Sequence, residues 1–296
     1  MQNVEVITRS RIKRSARIRR ITNQLSLYIP VAILALLVFC AIFAPLIAPY
    51  PPNLQNLPAR LSPPSFMTGG TSAHILGTDG LGRDILSRII YGARISLSVS
   101  LLVIAITASI GTIVGIAGGY LGGLVDSILM RVTDVCLSIP ALLIAMLLAV
   151  SLGPSFTTVV LSLSILGWAP YARLIRGEAL RLREADFVQQ ARVNGCSSLR
   201  IMIRHIFPNI INPLIVLATM SVGMVILMEA TLSYLGAGIP PPTASWGAMV
   251  SDGRNDIDTA WWISTLPGLA IGLVVLSGNF LGDWIRDKLD PRLRQL

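Results

Sequence analysis

The chain has 296 residues, of which 53% are hydrophobic and 13% are charged, and its mean hydropathy is +0.70. Soluble domains carry about 25% charged residues, so this composition excludes an ordinary soluble protein and indicates a membrane protein. The formal net charge of +9 does not indicate nucleic-acid binding, because the basic residues lie between long apolar segments rather than on a soluble domain.

Several apolar segments are long enough to cross a bilayer, which takes about 20 mostly apolar residues in an α-helix. The first has a longer core than the h-region of a signal peptide, so we predict that it is an uncleaved span. All are too long and continuous for the strands of a membrane barrel. The sequence therefore predicts an all-α polytopic protein with six transmembrane helices, at 25–49, 93–117, 132–151, 156–176, 211–236 and 261–282.

The basic residues predict the orientation of these spans, because cytoplasmic loops carry an excess of Lys and Arg. With the N-terminus in the cytoplasm, most of the 24 basic residues fall on the inner side, and both termini lie inside. The predicted regions are a cytoplasmic basic segment at 1–26, a first transmembrane helix at 27–48, an extracytoplasmic loop at 49–91, a five-helix core at 92–283 and a cytoplasmic tail at 284–296.

Acidic residues lie near the ends of the second and third spans. Asp79 is expected to cap the helix that leads into the second span, since its side chain can accept hydrogen bonds from the first free N–H groups. Asp126 and Asp134 lie at the inner end of the third span. We expect both to pair with Arg131 between them rather than to take part in transport.

Glycines recur every four residues at the end of the second span, at Gly111, Gly115 and Gly119, and again at Gly123. Small residues stacked on one helix face let two backbones approach closely. We expect a helix to pack there. The sequence leaves open which helix it is and whether it comes from another subunit.

Glu229 lies within the fifth predicted span. A charged side chain in hydrocarbon costs at least about 2.5–3.5 kcal/mol, so it should face the interior of the helix bundle. Two interpretations stay open: a residue of a translocation pathway or gate, and a structural hydrogen-bond partner of a neighbouring helix.

The stretch 186–214 is polar, although long apolar segments lie on both sides of it. Its pattern predicts two short helices with a break near Gly195, and Pro208 is expected to end the regular pattern before the fifth span. From the residues alone, this stretch is either an amphipathic segment on the membrane surface or a docking surface for another protein.

Motifs for catalysis and nucleotide binding are absent from the sequence. Neither Lys13 nor Lys288 lies in GxxxxGK[ST], so the chain has no P-loop, and HExxH and GxSxG are also missing. The cysteines at 40, 136 and 196 form no CxxC, which predicts neither a disulfide framework nor a metal site. We expect no enzyme activity and no cofactor bound by this chain, so the energy for any driven transport comes from another subunit.

The stretch QQARVNGCSSLRIMIRHIFPN resembles the cytoplasmic EAA loop of ATP-binding-cassette (ABC) importer permeases. In that loop E-A-A is followed after three residues by Gly, and about ten residues later by I-x-P. Gln189 stands at the position of the loop's Glu. The resemblance implies an ATPase-coupling loop at 177–210, and the residues assigned to it are Glu184, Gln189, Gln190, Ala191, Gly195, Arg200, Ile206 and Pro208.

Further motifs in the same order are similar to the C-type permeases of the dipeptide/oligopeptide/nickel family. They are HILGTDGLGRDILSRIIYGARISL, YLGGLVDSILMRVTDVCLSIP, LSYLGAGIPPPTASWGAMVSDGR and NFLGDWIRDKLDPRL. The resemblance implies a type I ABC importer permease fold in a bacterial or archaeal plasma membrane. It also implies a second, homologous permease, two ATPases that hold ATP and Mg²⁺, and an extracytoplasmic substrate-binding protein.

The substrates expected from this resemblance are dipeptides and oligopeptides. Nickel, glutathione or another small solute on the same machinery is the alternative. A self-contained channel or secondary transporter is the alternative from a different class, and it would work without any ATPase.

Overall fold

The computed structural model describes residues 28–289, and this part of the chain is helical, with an isolated bridge between Thr78 and Asp84 as its one β contact. The basic segment predicted at 1–26 and the last residues of the predicted tail, 290–296, lie outside the described range. The inside location of both termini therefore stays a prediction. The helices are α1 (Tyr28–Ile47), α2 (Ile85–Leu121), α3 (Gly123–Ser138), α4 (Ala141–Leu152), α5 (Phe156–Gly167), α6 (Ala169–Arg183), α7 (Asp186–Val193), α8 (Ser198–Ile201), α9 (Phe207–Tyr234), α10 (Trp246–Asp252) and α11 (Trp262–Leu289).

Within the described range, five helices are long and apolar enough to cross a membrane: α1, α2, α5 with α6, α8 with α9, and α11. The bent pair of α3 and α4 makes a sixth crossing if it counts as one span. These segments correspond to the six predicted spans. Helix α2 packs along α6 and across α9, and α11 packs along α9, so α2 and α9 form the centre of the bundle.

The second span begins earlier than the predicted residue 93. Helix α2 starts at Ile85, because the carboxylate of Asp84 accepts a hydrogen bond from the backbone N–H of Ser87 at 2.8 Å and caps the helix. The prediction that Asp79 caps it was wrong. The Asp79 carboxylate accepts backbone hydrogen bonds from Leu81 and Arg83 in the preceding turn, each at 2.9 Å.

The third span, predicted as one segment at 132–151, is bent. Its axis turns by 80° between α3 and α4. Proline disfavours the helical conformation of the residue before it, and Ile139 before Pro140 is extended, with φ −91° and ψ 127°. The broken helix leaves room for a cavity beneath the bend.

Pro208 does not end the regular pattern before the fifth span, contrary to the expectation from the sequence. Helix α8 continues through a π-helical turn, Met202–Ile206, into α9, so that one helix runs over Ser198–Tyr234. Pro208 therefore lies inside a continuous helix, where it cannot donate a backbone hydrogen bond, and the wide π turn directly before it accommodates the proline.

The loop between α1 and α2 is fastened to α10 by a cluster of charges. Arg83 contacts Asp79 at 2.6 Å and Asp252 at 3.1 Å. Arg88, which is 2% exposed, lies 3.7 Å from Asp79 and 3.5 Å from Asp252. Two arginines and two aspartates therefore balance one another in a largely buried site.

Candidate functional site

The loop region 177–210 contains two short helices, α7 and α8, on the side that the basic residues predict to be cytoplasmic. The break between them contains Gly195, whose φ of +77° lies in the left-handed region that favours glycine. The predicted break near Gly195 and the short helix before it are confirmed, but the second helix is not short, because α8 is the first turn of the helix that continues to Tyr234.

One side of this helix pair is anchored to the bundle. Val188 and Ala191 of α7 and Ile201 of α8 are buried in a cluster with residues of α2 and α6, among them Ile116 and Ile175. Burial of apolar side chains stabilises such contacts by about 1.5–3 kcal/mol for a large aliphatic residue. This packing attaches the helix pair to the C-terminal parts of α2 and α6.

The other side of the helix pair is open and carries apolar and basic side chains. Val193 is 87% exposed and Leu199 is 63% exposed. A shallow groove in this face is lined by Ser197, Leu199, Arg200, Ile203 and Arg204. Contiguous exposed apolar side chains with a polar rim are typical of a surface that binds another protein.

The residues assigned to the coupling loop divide between these two sides. Ala191 and Ile206 are buried, and Gln189 is half-buried. The amide nitrogen Nε2 of Gln189 donates a hydrogen bond of 3.1 Å to the backbone carbonyl of Arg183, at the end of α6. The assigned residues that remain exposed are Glu184, Gln190, Gly195, Arg200 and Pro208.

Arg192 has a contact that the sequence did not suggest. Its guanidinium lies 5.7 Å from the centre of the Tyr120 ring at the end of α2. A cation over an aromatic face is attracted by the ring electrons. The contact ties α7 to α2, and nothing in the spacing of these two residues could have predicted it.

Asp126 and Asp134 do not pair with Arg131, contrary to the expectation from the sequence. Asp126 binds Arg176 and Asp134 binds Arg173, both on α6, while Arg131 is exposed. The reason is that α6 lies alongside α3, so its arginines reach the carboxylates directly.

The glycine row is the contact surface of α2 for α6 of the same chain. A side-chain carbon at Gly115 would lie 2.7 Å from the carbonyl oxygen of Ala172, and one at Gly119 would lie 2.7 Å from the Cβ of Ala179. A carbon at Gly111 would meet Tyr171 and the backbone next to it. Gly123 has open space around it, so it does not belong to this contact.

Glu229 is fully buried between α2 and α9. Its carboxylate accepts hydrogen bonds from the hydroxyls of Ser96 at 3.2 Å and Ser233 at 3.0 Å. Ser245, at the start of α10, contributes a third hydroxyl beside it. Three elements therefore meet at this carboxyl group.

A cavity of about 360 Å³ lies under the bend between α3 and α4, among α2, α5, α6 and α9. Its wall is mostly apolar, with polar groups from Thr107, Cys136, Tyr171 and Ser221, and Glu229 is not part of the lining. Such a wall suits apolar or uncharged groups, because an unpaired charge there would lose its hydration. Among residues 28–289, no group of three or more His, Cys, Asp or Glu side chains could hold a metal ion.

Comparison with known proteins relates this architecture to transport systems. Residues 111–295 match the family described as "Binding-protein-dependent transport system inner membrane component", and residues 29–64 match the "N-terminal TM domain of oligopeptide transport permease C". The chain is 50% identical to the dipeptide transport system permease protein DppC of Escherichia coli (strain K12). The alignment spans 260 residues, which are 88% of this chain and 87% of that protein. It is 42% identical over 259 residues to the di/tripeptide transport system permease protein DppC of Pseudomonas aeruginosa (strain UCBPP-PA14), over 88% of this chain and 86% of that protein.

The fold is also similar to a solved transporter. An inward-facing structure of the MetNI methionine ABC transporter aligns with a TM-score of 0.53 and 15% identity, over 68% of this chain and 97% of that chain. The similarity confirms the ABC importer permease fold expected from the sequence.

Proposed function

Because the chain belongs to the family of inner membrane components of binding-protein-dependent transport systems, we propose that it is a permease subunit of an ATP-driven importer of dipeptides and oligopeptides. The observation that carries the substrate class is the 50% identity to a dipeptide permease over 88% of this chain. The subunit forms half of the transmembrane pathway, and a second, related permease forms the other half.

In this proposal the energy comes from two partner ATPases, which hold ATP and Mg²⁺. They bind the open face of the helix pair α7–α8, where apolar and basic side chains are exposed. The buried side of the same pair is packed on α2 and α6. Closure of the ATPases therefore pulls the inner ends of these spans, and the pathway opens alternately to the two sides of the membrane.

The substrate arrives from an extracytoplasmic binding protein in this proposal, and selectivity lies mostly there. Nickel, glutathione or another small solute is the alternative cargo for the same machinery. A channel or secondary transporter would need neither the binding protein nor ATP, so a requirement for ATP distinguishes the proposed importer from that class.

The experiment is uptake of radiolabelled dialanine by proteoliposomes that contain the full complex of permeases and ATPases, with the binding protein outside and ATP inside. We expect uptake that requires ATP and that unlabelled trialanine reduces, while nickel and glutathione, whose first peptide bond is γ-linked, do not. Uptake without ATP would contradict the importer, and no uptake of dialanine by the complete complex with ATP would contradict the peptide substrate.

Variants at Gly195 test the coupling loop in the same assay. Gly195→Glu places a β-carbon and a charge at φ +77° in the break between α7 and α8, so we expect uptake to be lost while the protein still inserts in the membrane. Gly195→Asn is the matched control, because Asn tolerates the left-handed region, and it should keep most of the uptake. Normal uptake by the Glu variant would contradict a coupling role for this loop.

A further inference from the structure

Helix α3 has few apolar contacts with the rest of its own subunit. Among its 16 residues, Thr133 is the one that is buried. Its exposed apolar side chains are Leu124, Val125, Ile128, Val132, Val135 and Leu137. Its specific attachment to α6 consists of carboxylate–guanidinium contacts.

The contact between Asp126 and Arg176 is the better shielded of these. Nε and Nη2 of Arg176 both donate to the carboxylate of Asp126 at 2.6 Å, which is the strong, directional two-bond form. The two side chains are 17% and 33% exposed. In the second pair, Asp134 and Arg173 are 61% and 59% exposed and share one such contact, so water screens them more strongly.

Helix α3 lies between two breaks in the backbone. At its start, Gly122 and Gly123 have φ values of +68° and +56°. At its end, Ile139 is extended before Pro140 and the axis turns by 80°. Breaks of this kind absorb a change in backbone angles, so that the helix between them turns as a rigid body.

Helix α6 joins α3 to the coupling loop. Its last turns bury Ala179 and Leu182 in the same cluster as Val188 of α7. Arg176 lies one turn before Ala179. A displacement of α7 is therefore passed to α6 by packing and from α6 to α3 by the ion pair.

We propose that the Asp126–Arg176 pair is a strap that makes α3 follow the coupling loop when the ATPases close. Both are positioning residues, because they set the position of α3 and do not line the cavity themselves. The bend at the end of α3 contributes Cys136, Ile139 and Ala141 to the cavity wall. The inference rests on the proposed function, since partner ATPases supply the movement. Without the strap, the ATPases still hydrolyse ATP, but the bent span no longer follows and less peptide crosses per ATP.

The test compares four complete complexes in proteoliposomes: wild type, Asp126→Arg, Arg176→Asp and the double variant with the two charges exchanged. Peptide uptake and ATP hydrolysis are measured on the same samples, and the readout is their ratio. We expect each single variant to lower the ratio at least about fivefold, the low end of measured coupling between sites. We expect the exchanged pair to restore most of it, and Asp134→Asn to leave it unchanged.

Each result has one interpretation. A wild-type complex that imports no peptide contradicts the proposed function and the strap with it. A wild-type complex that imports peptide, together with single variants that keep the wild-type ratio, contradicts the strap alone. An exchanged pair that assembles and hydrolyses ATP but is not restored also contradicts it, because a pair that acts through its charges should tolerate the exchange.

A conservative variant covers the possibility that a reversed charge prevents assembly. Asp126→Asn keeps the shape of the side chain and removes one charge, so the complex should form while the ratio falls in the same direction. A purely structural role would lower the amount or thermal stability of the complex without changing uptake per ATP, and that result would overturn the proposal.

Discussion

The hydroxyl of Ser96 on α2 donates a hydrogen bond of 3.2 Å to the carboxylate of Glu229 on α9, and no part of this glutamate is exposed. Ser233, one turn further along α9, donates to the other carboxylate oxygen at 3.0 Å. A carboxylate in the interior of a membrane bundle is costly unless such donors satisfy it. The geometry therefore favours a role in fastening α2 to α9, and Glu229 does not line the cavity.

Replacing Glu229 separates the two interpretations. Glu229→Ala removes the acceptor of the surrounding serine hydroxyls and leaves a void, so we expect it to lower the free energy of unfolding by about 2–4 kcal/mol. Glu229→Gln keeps the shape and can still accept a hydrogen bond, so the loss should be about 1 kcal/mol with uptake unchanged. Thermal unfolding in mild detergent and peptide uptake are the measurements. A Gln variant that is stable but does not transport would assign Glu229 to the pathway.

The close approach of α2 and α6 gives a second prediction. Gly115→Ala places a carbon 2.7 Å from the carbonyl oxygen of Ala172 and 2.8 Å from the Cβ of Ile175, so the two helices must separate. We expect a loss of about 1–3 kcal/mol, the usual cost of overpacking, seen as a lower unfolding temperature.

Gly177→Ala is the matched control for this prediction, because Gly177 lies on α6 with open space around it. There the substitution should be neutral or stabilise the helix by up to about 1 kcal/mol. Equal stability of the Gly115 and Gly177 variants would contradict the tight contact between the helices.

The sequence was sufficient to predict the spans and the break at Gly195 between α7 and α8, because apolar length and a glycine between two helical patterns are local signals. The 80° bend had a local signal too, in Pro140, but an apolar segment that continues across it does not reveal the angle. The partner of Asp126 was beyond the reach of sequence, since Arg176 is 50 residues away and meets it only through the packing of α3 on α6.

Gln189 also has a role that its alignment with the EAA pattern does not reveal. Its amide donates to the carbonyl of Arg183 at 3.1 Å, and thereby satisfies one of the free carbonyl groups at the end of α6. Gln189→Glu replaces this donor with an acceptor that repels the carbonyl. We expect a loss of about 1–3 kcal/mol locally, seen as faster hydrogen exchange in α7.

The comparison variant for this prediction is Gln190→Glu, because the side chain of Gln190 is exposed to solvent and water can hydrate the new carboxylate. It should leave the exchange rates of α7 unchanged. Unaltered exchange in the Gln189 variant would show that the amide contact does not hold α7 to α6.

The charge cluster between α10 and the loop before α2 gives the last prediction. The side chain of Asp79 is 4% exposed and contacts both Arg83 and Arg88, while Asp252 is 37% exposed. Asp79→Asn leaves two arginines with one partly hydrated carboxylate. Removing one partner from a buried ion pair leaves an uncompensated charge and typically costs about 3–5 kcal/mol, so we expect a clear fall in the unfolding temperature of the detergent-solubilised protein.

Asp134→Asn provides the reference, since it removes a carboxylate from a pair in which both side chains are about 60% exposed. A surface pair of this kind contributes at most about 1 kcal/mol, so its loss should shift the unfolding temperature much less. High salt should reduce the difference between wild type and the Asp134 variant but not the effect of Asp79→Asn, because salt screens exposed charges more than buried ones. If both variants unfold at the same temperature, the cluster does not fasten α10 to the loop, and other contacts, such as the 3.1 Å hydrogen bond from Trp262 to the carbonyl of Thr78, hold this side of the subunit together.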